Sequence, residues 1–419
     1  MTPDELHSLL LPENLNMLEE HGSDDPSSFA LRFQGRADIP ARAIAEQLDC
    51  RRRALKKLPV LSQKGLLYTA PALEQSSGEA AATYKASLMG GERLIDLTGG
   101  LGIDAVFFSR VFRNVVYCER DPLLAELAAY NFRRLGVSNV EICQGDSLAM
   151  LHSFSDDHFD WMYVDPSRRE GGRRSVGLSA ASPDVAASHD LLLRKAAKVM
   201  VKASPALELS GIERQLPSIS AIHVVSVGGE CRETLLLLER TPARQGPIAR
   251  KAVLLDTTAG EWREIAGTGW ESRSPAVPVQ AFFYEPGPAI IKSALTARLS
   301  EVYGFDYVSN TVDYLTSNRF VEGFPGRTFR VVASDRYKPK TFRSFLQRHG
   351  IRGAAIQRRD FPLSPEEIRR KFRLRESHCD YLFFTKDSAG ESICVYAVKP
   401  SPAGGEAPSV QGRNAAPEC

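Results

Sequence analysis

No apolar run in this sequence approaches the roughly 20 residues needed to cross a bilayer, so a membrane-spanning chain is not expected. The first residues, Met1-Thr-Pro-Asp-Glu5, carry no basic segment followed by an apolar core, which argues against a secretory signal and for a cytoplasmic location. Cysteine is sparse: the seven, at 50, 118, 143, 231, 379, 394 and 419, are odd in number and none forms a C-x-x-C pair. The eight histidines are dispersed as well, so no metal site is expected. Cys118 and Cys143 fall within apolar runs, where a reduced thiol packs as a small apolar side chain. Charge of one sign is also lacking, and a net +2 by itself says little about partners. What is present, 43% hydrophobic and 25% charged residues over 419 positions, describes a globular protein too long for one core and built from several domains.

The most informative stretch is Leu94-Ile-Asp96-Leu-Thr-Gly99-Gly100-Leu-Gly102-Ile-Asp104, followed by Val115-Val-Tyr-Cys-Glu119. An apolar run ends in a carboxylate and a glycine turn, a helical pattern follows, and a second apolar run ends in another carboxylate. Glycine between strand and helix permits unusual backbone angles and close approach of a ligand. Asp121-Pro122 then reads as a helix cap, which leaves Glu119 at a strand end where it can accept hydrogen bonds from both ribose hydroxyls.

Gly100-Leu-Gly102-Ile-Asp-Ala105 also satisfies the loose dinucleotide pattern G-x-G-x-x-G/A. Three features favour S-adenosylmethionine over a dinucleotide. Asp96 stands where a carboxylate can meet the ammonium of an amino acid and where a pyrophosphate has no use for one. Val140-Glu-Ile-Cys-Gln-Gly-Asp146 supplies a third strand ending in an acid, suited to an adenine amino group. Phe159-Asp-Trp-Met-Tyr-Val-Asp165-Pro166 supplies a fourth, where the methyl group would emerge. Each acid singly could be only a helix cap or turn residue. Four at the spacing of successive βα units point to one site.

The block Asp96-Leu-Thr-Gly-Gly-Leu-Gly102, the upstream Leu73-Glu-Gln-Ser-Ser-Gly-Glu79 with Tyr84-Lys85, and the Asp165-Pro-Ser-Arg-Arg169 box resemble those of bacterial class I methyltransferases that carry C-terminal ferredoxin-like and THUMP-like domains. The likeness extends to Val225-Ser-Val-Gly-Gly-Glu-Cys-Arg-Glu233, Tyr284-Glu-Pro-Gly-Pro-Ala289 and Gly326-Arg-Thr-Phe329. It implies cofactor contacts at Asp96, Thr98, Gly99, Gly100, Glu119 and Asp146, with the Glu74-Gln75-Ser76-Ser77 turn over the methionine end. Leu97 and Gly102 complete the candidate set. The resemblance implies no defined substrate, and it implies RNA only through the domain type.

The expected architecture is an α/β, Rossmann-like methyltransferase domain over residues 89–242, preceded by a mainly helical region, 1–88. Beyond Asp165, Ser182-Pro183 reads as a helix start, and strands are expected near 198–202, 221–227 and 234–239. Only Gly228-Gly-Glu-Cys-Arg-Glu233 separates the last two, too little for the crossover a parallel pair needs. The seventh strand is therefore expected to be antiparallel in an otherwise mostly parallel sheet. Residues 243–325 read as a linker and a ferredoxin-like α+β unit, with a helix after Pro286 and Pro288 that includes Ile290, Ile291, Leu295 and Leu299. Residues 326–399 read as a basic THUMP-like unit, and 400–419, rich in Ala, Gly, Pro and Ser, as a disordered tail.

Methyl transfer is an in-line displacement, so the protein chiefly aligns the reactants, excludes water and manages the proton of the nucleophile. Asp165, with Pro166 and Arg168, is the candidate catalytic box. Enzymes that methylate exocyclic amines use [Asp/Asn]-Pro-Pro-[aromatic], and here the aromatic is missing. Instead Arg168, Arg169, Arg173 and Arg174 follow, cations able to clasp an anionic substrate or to order their own loop. From Arg327 to Glu376, 15 Lys and Arg stand against 5 Asp and Glu, interleaved with Phe342, Phe345, Phe361 and Phe372. Such a segment can bind a polyphosphate backbone. Part of it reads as a capped helix, Ser364-Pro-Glu-Glu367 onward, with Ile368 and Phe372 as its core face. The expected activity is methylation of a base nitrogen in structured RNA, the alternatives being methylation of a small anionic metabolite or a protein, or RNA binding on a degenerate scaffold.

Overall fold

Proline decides where the first helices begin. Helices α1 (Pro3–Leu9), α2 (Pro12–Glu20) and α3 (Pro26–Arg32) each place it in the first turn, where its missing N–H costs nothing. In the computed structural model, which describes residues 1–36, 38–168, 181–241, 246–256 and 261–400, α4 (Ala41–Lys57) follows and buries Ile44, Gln47, Leu48 and Ala54 along one stripe. The cations of Arg51 to Lys57 lie in its second half. After α4, residues Leu66–Thr69 run extended and are paired by side chains: the Gln47 amide bonds Tyr68 N–H and C=O at 2.9 and 2.6 Å. Asn131 does the same for Leu67, at 2.9 Å on both sides. Helices α5 (Ala70–Gln75) and α6 (Glu79–Ser87) then lead into the sheet.

The sheet elements follow the apolar runs. They are β1 (Gly91–Asp96), α7 (Ile103–Phe108), β2 (Phe112–Glu119), α8 (Pro122–Leu135), β3 (Val140–Gln144), α9 (Ser147–Ser153) and β4 (Phe159–Val164). Next come the short pair β5 (Ser167–Arg168) and β6 (Ala181–Ser182), then α10 (Val185–Lys195), β7 (Ala196–Ala203), α11 (Ile212–Gln215), β8 (Ile219–Val227) and β9 (Glu230–Glu239). The strands lie in the order β8-β9-β7-β4-β1-β2-β3. Neighbours from β7 to β3 are parallel, while β9 runs antiparallel to both β7 and β8. This is the Rossmann-like, mostly parallel sheet with an antiparallel last strand expected from the sequence. The β8–β9 turn is only Gly228-Gly229, both with positive φ (58° and 82°), as a tight hairpin with right-handed strand twist demands. Helix α10 starts later than Ser182-Pro183, because the Asp184 side chain caps it through Ala187 N–H.

The chain divides into two units, Met1–Ile248 with Leu255–Arg263 and Ala249–Leu254 with Glu264–Cys419. Strands β10 (Ala249–Leu255) and β11 (Trp262–Gly267) straddle that division. The second unit contains β12 (Phe282–Pro286), α12 (Pro288–Lys292), α13 (Thr296–Tyr303), β13 (Asp306–Tyr307), β14 (Leu315–Ser317) and β15 (Gly326–Arg336). It continues with α14 (Pro339–Arg348), β16 (Ala355–Arg358), α15 (Pro365–Phe372), β17 (Asp380–Lys386) and β18 (Ser392–Val398). The helix expected after Pro288 is two helices, since Ala294 adopts a left-handed φ of 60° and breaks the run between Ile291 and Leu295. One sheet, β13-β14-β12-β15-β18-β17-β16, includes strands from both sides of the expected boundary at 325/326. Strand β17 shows why: Tyr381 and Phe383 fill the core against Phe283 and Phe329, while Leu382 and Phe384 fill the other against Phe342 and Phe345.

Candidate active site

The turn after β1 is shaped by what lies beneath it. Gly99 N–H donates to Cys118 C=O at 2.8 Å, tying the turn to the end of β2. A Cβ on Gly99 would fall 2.1 Å from the Tyr117 ring, so only glycine fits. Gly102 takes φ 75°, and its missing Cβ makes room for Phe132. Gly100, at φ 54°, has open space on its Cβ side. The turn therefore has a filled floor and a bare upper surface.

Around that surface lies a cleft of about 350 Å³, the size range of ordinary small-molecule sites. It is lined by Gln75, Ser76, Leu97, Thr98, Gly99, Gly100, Glu119, Asp146 and Asp165, and also by Ser77, Asp104, Asp121 and Ser167. Three of the four strand-end acids thus meet in one crevice. Glu119 is fixed by two backbone donors, Gly100 N–H at 2.7 Å and Asp121 N–H at 2.8 Å, one to each oxygen. Asp146 also caps α9, accepting from Ala149 N–H at 2.8 Å through Oδ1. Asp165 N–H donates to Thr98 Oγ1 at 2.6 Å, which joins the fourth strand end to the glycine turn.

Asp96 stands apart, only 1% exposed and behind the wall rather than on it. It accepts from Thr98 N–H at 2.9 Å. Burial pushes its carboxyl up to about 8 against that hydrogen bond, with the charges of Asp104, Asp165 and Glu119 adding to the rise. Gly102 underlies the turn and does not line the cleft. Pro166 follows Asp165, and the backbone of Arg168 pairs with Ala181. The side chain of Arg168 and all of Arg169, Arg173 and Arg174 lie outside the described residues.

Sequence reasoning missed a set of buried charges behind the cleft. Lys85, fully buried on α6, reaches Asp104 at 2.9 Å, Ser77 Oγ at 2.6 Å and Glu233 at 3.4 Å. Asp104 also accepts from Ser77 Oγ at 2.8 Å and Tyr163 OH at 2.9 Å. Burial works to raise the Asp104 carboxyl, but Lys85 and Lys202 outweigh it and hold it below the usual range. Lys202, at the end of β7, donates to Asp165 Oδ2 at 2.5 Å. The available signal was a lone lysine in each of two otherwise apolar stretches, Ala80-Ala-Ala-Thr-Tyr-Lys85-Ala and Val199-Met-Val-Lys202.

Aromatic residues in the basic segment are placed otherwise than a stacking surface requires. Phe342, Phe345 and Phe361 are at most 4% exposed, and Phe372 packs against the same core. Phe342 and Phe345 on α14 and Phe372 on α15 face that core from their helices. The cations are outside: of the fifteen Lys and Arg from 327 to 375, all but Arg359 and Arg369 are exposed. Lys338, Lys340, Arg343, Arg352, Arg370, Lys371, Arg373 and Arg375 form no ion pair among the described residues. The capping box is present, Ser364 and Glu367 each bonding the other's N–H.

The residues around the glycine turn suit S-adenosylmethionine: a bare turn for the nucleoside, acids at the strand ends and a polar turn at Gln75-Ser76. Comparison with known proteins agrees. Residues 326–399 match a family model described as THUMP domain-like. The chain is 26% identical over 364 residues to an uncharacterized S-adenosylmethionine-dependent methyltransferase of Mycobacterium tuberculosis, covering 85% of this chain and 97% of that protein. A crystal structure from Porphyromonas gingivalis W83, provisionally named a methyltransferase, superposes with a TM-score of 0.81 at 25% identity, covering 96% of this chain and 100% of the other. Over 92 residues, 20% of its length, this chain is 28% identical to ribosomal RNA small subunit methyltransferase J of Legionella pneumophila, of which the match covers 38%. Among the described residues, no helix is long and apolar enough to cross a membrane.

Proposed function

We propose that this chain, a class I S-adenosylmethionine-dependent methyltransferase with a C-terminal THUMP-like domain, methylates a base nitrogen in a structured RNA. The observation that carries the proposal is the meeting of Glu119, Asp146 and Asp165, from three strand ends, on one cleft with the glycine turn. In this reading Leu97, Thr98, Gly99 and Gly100 carry the nucleoside, with Gly102 shaping the turn. Glu119, already oriented by two N–H donors, accepts from the ribose hydroxyls. Asp146 accepts from the adenine amino group through the oxygen its cap leaves unused. Gln75 and Ser76 cover the methionine end, and Asp96 answers the ammonium through the turn it underlies. Asp165, with Pro166 and the Arg168 segment, orients the nucleophile.

RNA is supported by the exposed cations of the second unit, by the THUMP domain-like match and by the name of the Legionella relative. Buried phenylalanines speak for backbone and shape recognition over base stacking in that unit. The experiment is incubation with radiolabelled cofactor and total RNA from a strain lacking the protein, followed by mapping of the labelled nucleotide. Label in protein or small molecules alone would overturn the RNA reading. Glu119→Ala is expected to weaken calorimetric cofactor binding by about 30-fold or more, because a charge-assisted bidentate contact is lost. Unchanged affinity would contradict the ribose role.

A further inference from the structure

Strands β4 and β7 are parallel neighbours with Val164 opposite Val201, so the residues that follow, Asp165 and Lys202, emerge side by side. Lys202 Nζ sits 2.5 Å from Asp165 Oδ2, with its side chain 13% exposed against 34% for Asp165. Asp165 lines the cleft and Lys202 does not. We propose that Lys202 is the positioning residue of methyl transfer: it commits one oxygen of an ionised Asp165 and leaves the other to accept the N–H of an amino nucleophile. This rests on the reading of Asp165 as the acid that orients the nucleophile.

Asp165 lines the same cleft as Asp104 and Glu119, and all three act on buried Asp96 through their charges. A carboxyl among carboxylates keeps its proton unless a cation opposes them. Lys202 is such a cation. Burial favours its neutral form, yet the attraction of Asp165, Glu233 and Asp104 prevails and keeps it charged. Glu233 also contacts Lys85, which contacts Asp104 on the cleft wall. Charges therefore alternate in sign from the nucleophile's acceptor to the cofactor wall.

A carboxylate with one oxygen held by an ammonium is set up to accept a hydrogen bond, and that favours a nucleophile that attacks with its hydrogens in place. A neutral hydroxyl is a poor nucleophile unless its proton is withdrawn as it attacks. An amine keeps its hydrogens: its lone pair forms the N–C bond while the S–C bond breaks and its electrons stay on sulfur. The resulting N-methylated cation then releases one proton to water through the Asp165 oxygen that Lys202 does not hold.

The test uses the full chain, with Lys202→Met, Lys202→Arg and cofactor binding as the check that each is folded. Aspartate carrying 13C at the carboxyl carbon is titrated by NMR, with the Asp165 signal assigned from Asp165→Asn. In Lys202→Met the Asp165 titration should move up by at least one pH unit relative to the unaltered protein, and Lys202→Arg should restore it. Transfer to RNA should fall about 100-fold in kcat for Lys202→Met, with the acid limb of its pH profile displaced upward and cofactor Kd within about threefold. Asp165→Asn combined with Lys202→Met should be no slower than Asp165→Asn alone. An unmoved carboxyl titration, or an additive double variant, would overturn the proposal. Cofactor binding with no labelled RNA would sink the RNA reading alone, since the titration judges the pair without any acceptor.

Discussion

The two units place their charges in opposite ways. In the first, Lys85 and Lys202 are taken largely out of water and matched with Asp104, Glu233 and Asp165 around a small cleft. In the second, thirteen of fifteen cations in one segment stay in water, over a core that claims the aromatics. Buried pairs act over a few ångströms and specify geometry, whereas exposed cations act over about a Debye length, roughly 8–10 Å, and respond to salt. The first arrangement suits chemistry on a fixed atom and the second suits holding a large anion.

The sharpest way to break this contrast is Phe342→Ala. If Phe342 is core, the second unit should lose about 3–5 kcal/mol in denaturant unfolding, as for other buried phenylalanines. Loss of RNA affinity with unchanged stability would return the ring to a stacking role. Next in size, Lys338→Gln, Lys340→Gln and Arg343→Gln combined should lower RNA affinity about 10- to 100-fold at low salt. The log–log salt slope should become shallower by about 2 to 3, with cofactor affinity unchanged.

Smaller again is Asp96→Asn, which probes the first unit alone. A carboxyl raised to about 8 when folded and titrating near 4 when unfolded contributes stability that is present below pH 4 and lost as pH rises toward 8. The amide should therefore stabilise the cofactor-free protein by about 1–2 kcal/mol at pH 8 and by little at pH 4, measured by thermal unfolding at both. Smallest is Ser364→Ala, which removes one side of the α15 capping box and should cost about 1 kcal/mol in the same measurement on the second unit.

The strand-end acids were legible because each closes an apolar run, and a strand end is a local property. Glu119, Asp146 and Asp165 could be placed on one crevice from spacing alone. The lysines were not legible, because their partners are remote in sequence: Lys202 lies 37 residues from Asp165, and Lys85 lies 148 from Glu233. Nothing local says which carboxylate a lysine will face. Phe342 and Phe345 carried a helical core spacing all along, but the density of cations around them drew the reading toward a surface. At Ala294 a left-handed residue interrupts an apolar periodicity that continues on both sides, so pattern alone joined two helices into one.

The extended segment Leu66–Thr69, paired by Gln47 and Asn131, has one further consequence. Asn131 belongs to α8, the helix that begins just after Glu119, while the segment it grips belongs to the opening helical region. A shortened chain beginning at Met89 would strip the Asn131 amide of its backbone partners and open to water the face of α8 that the segment covers. The amino-terminal helices are thus scaffolding for the transferase sheet, not a detachable accessory, and any attempt to trim the protein to its catalytic half should keep them.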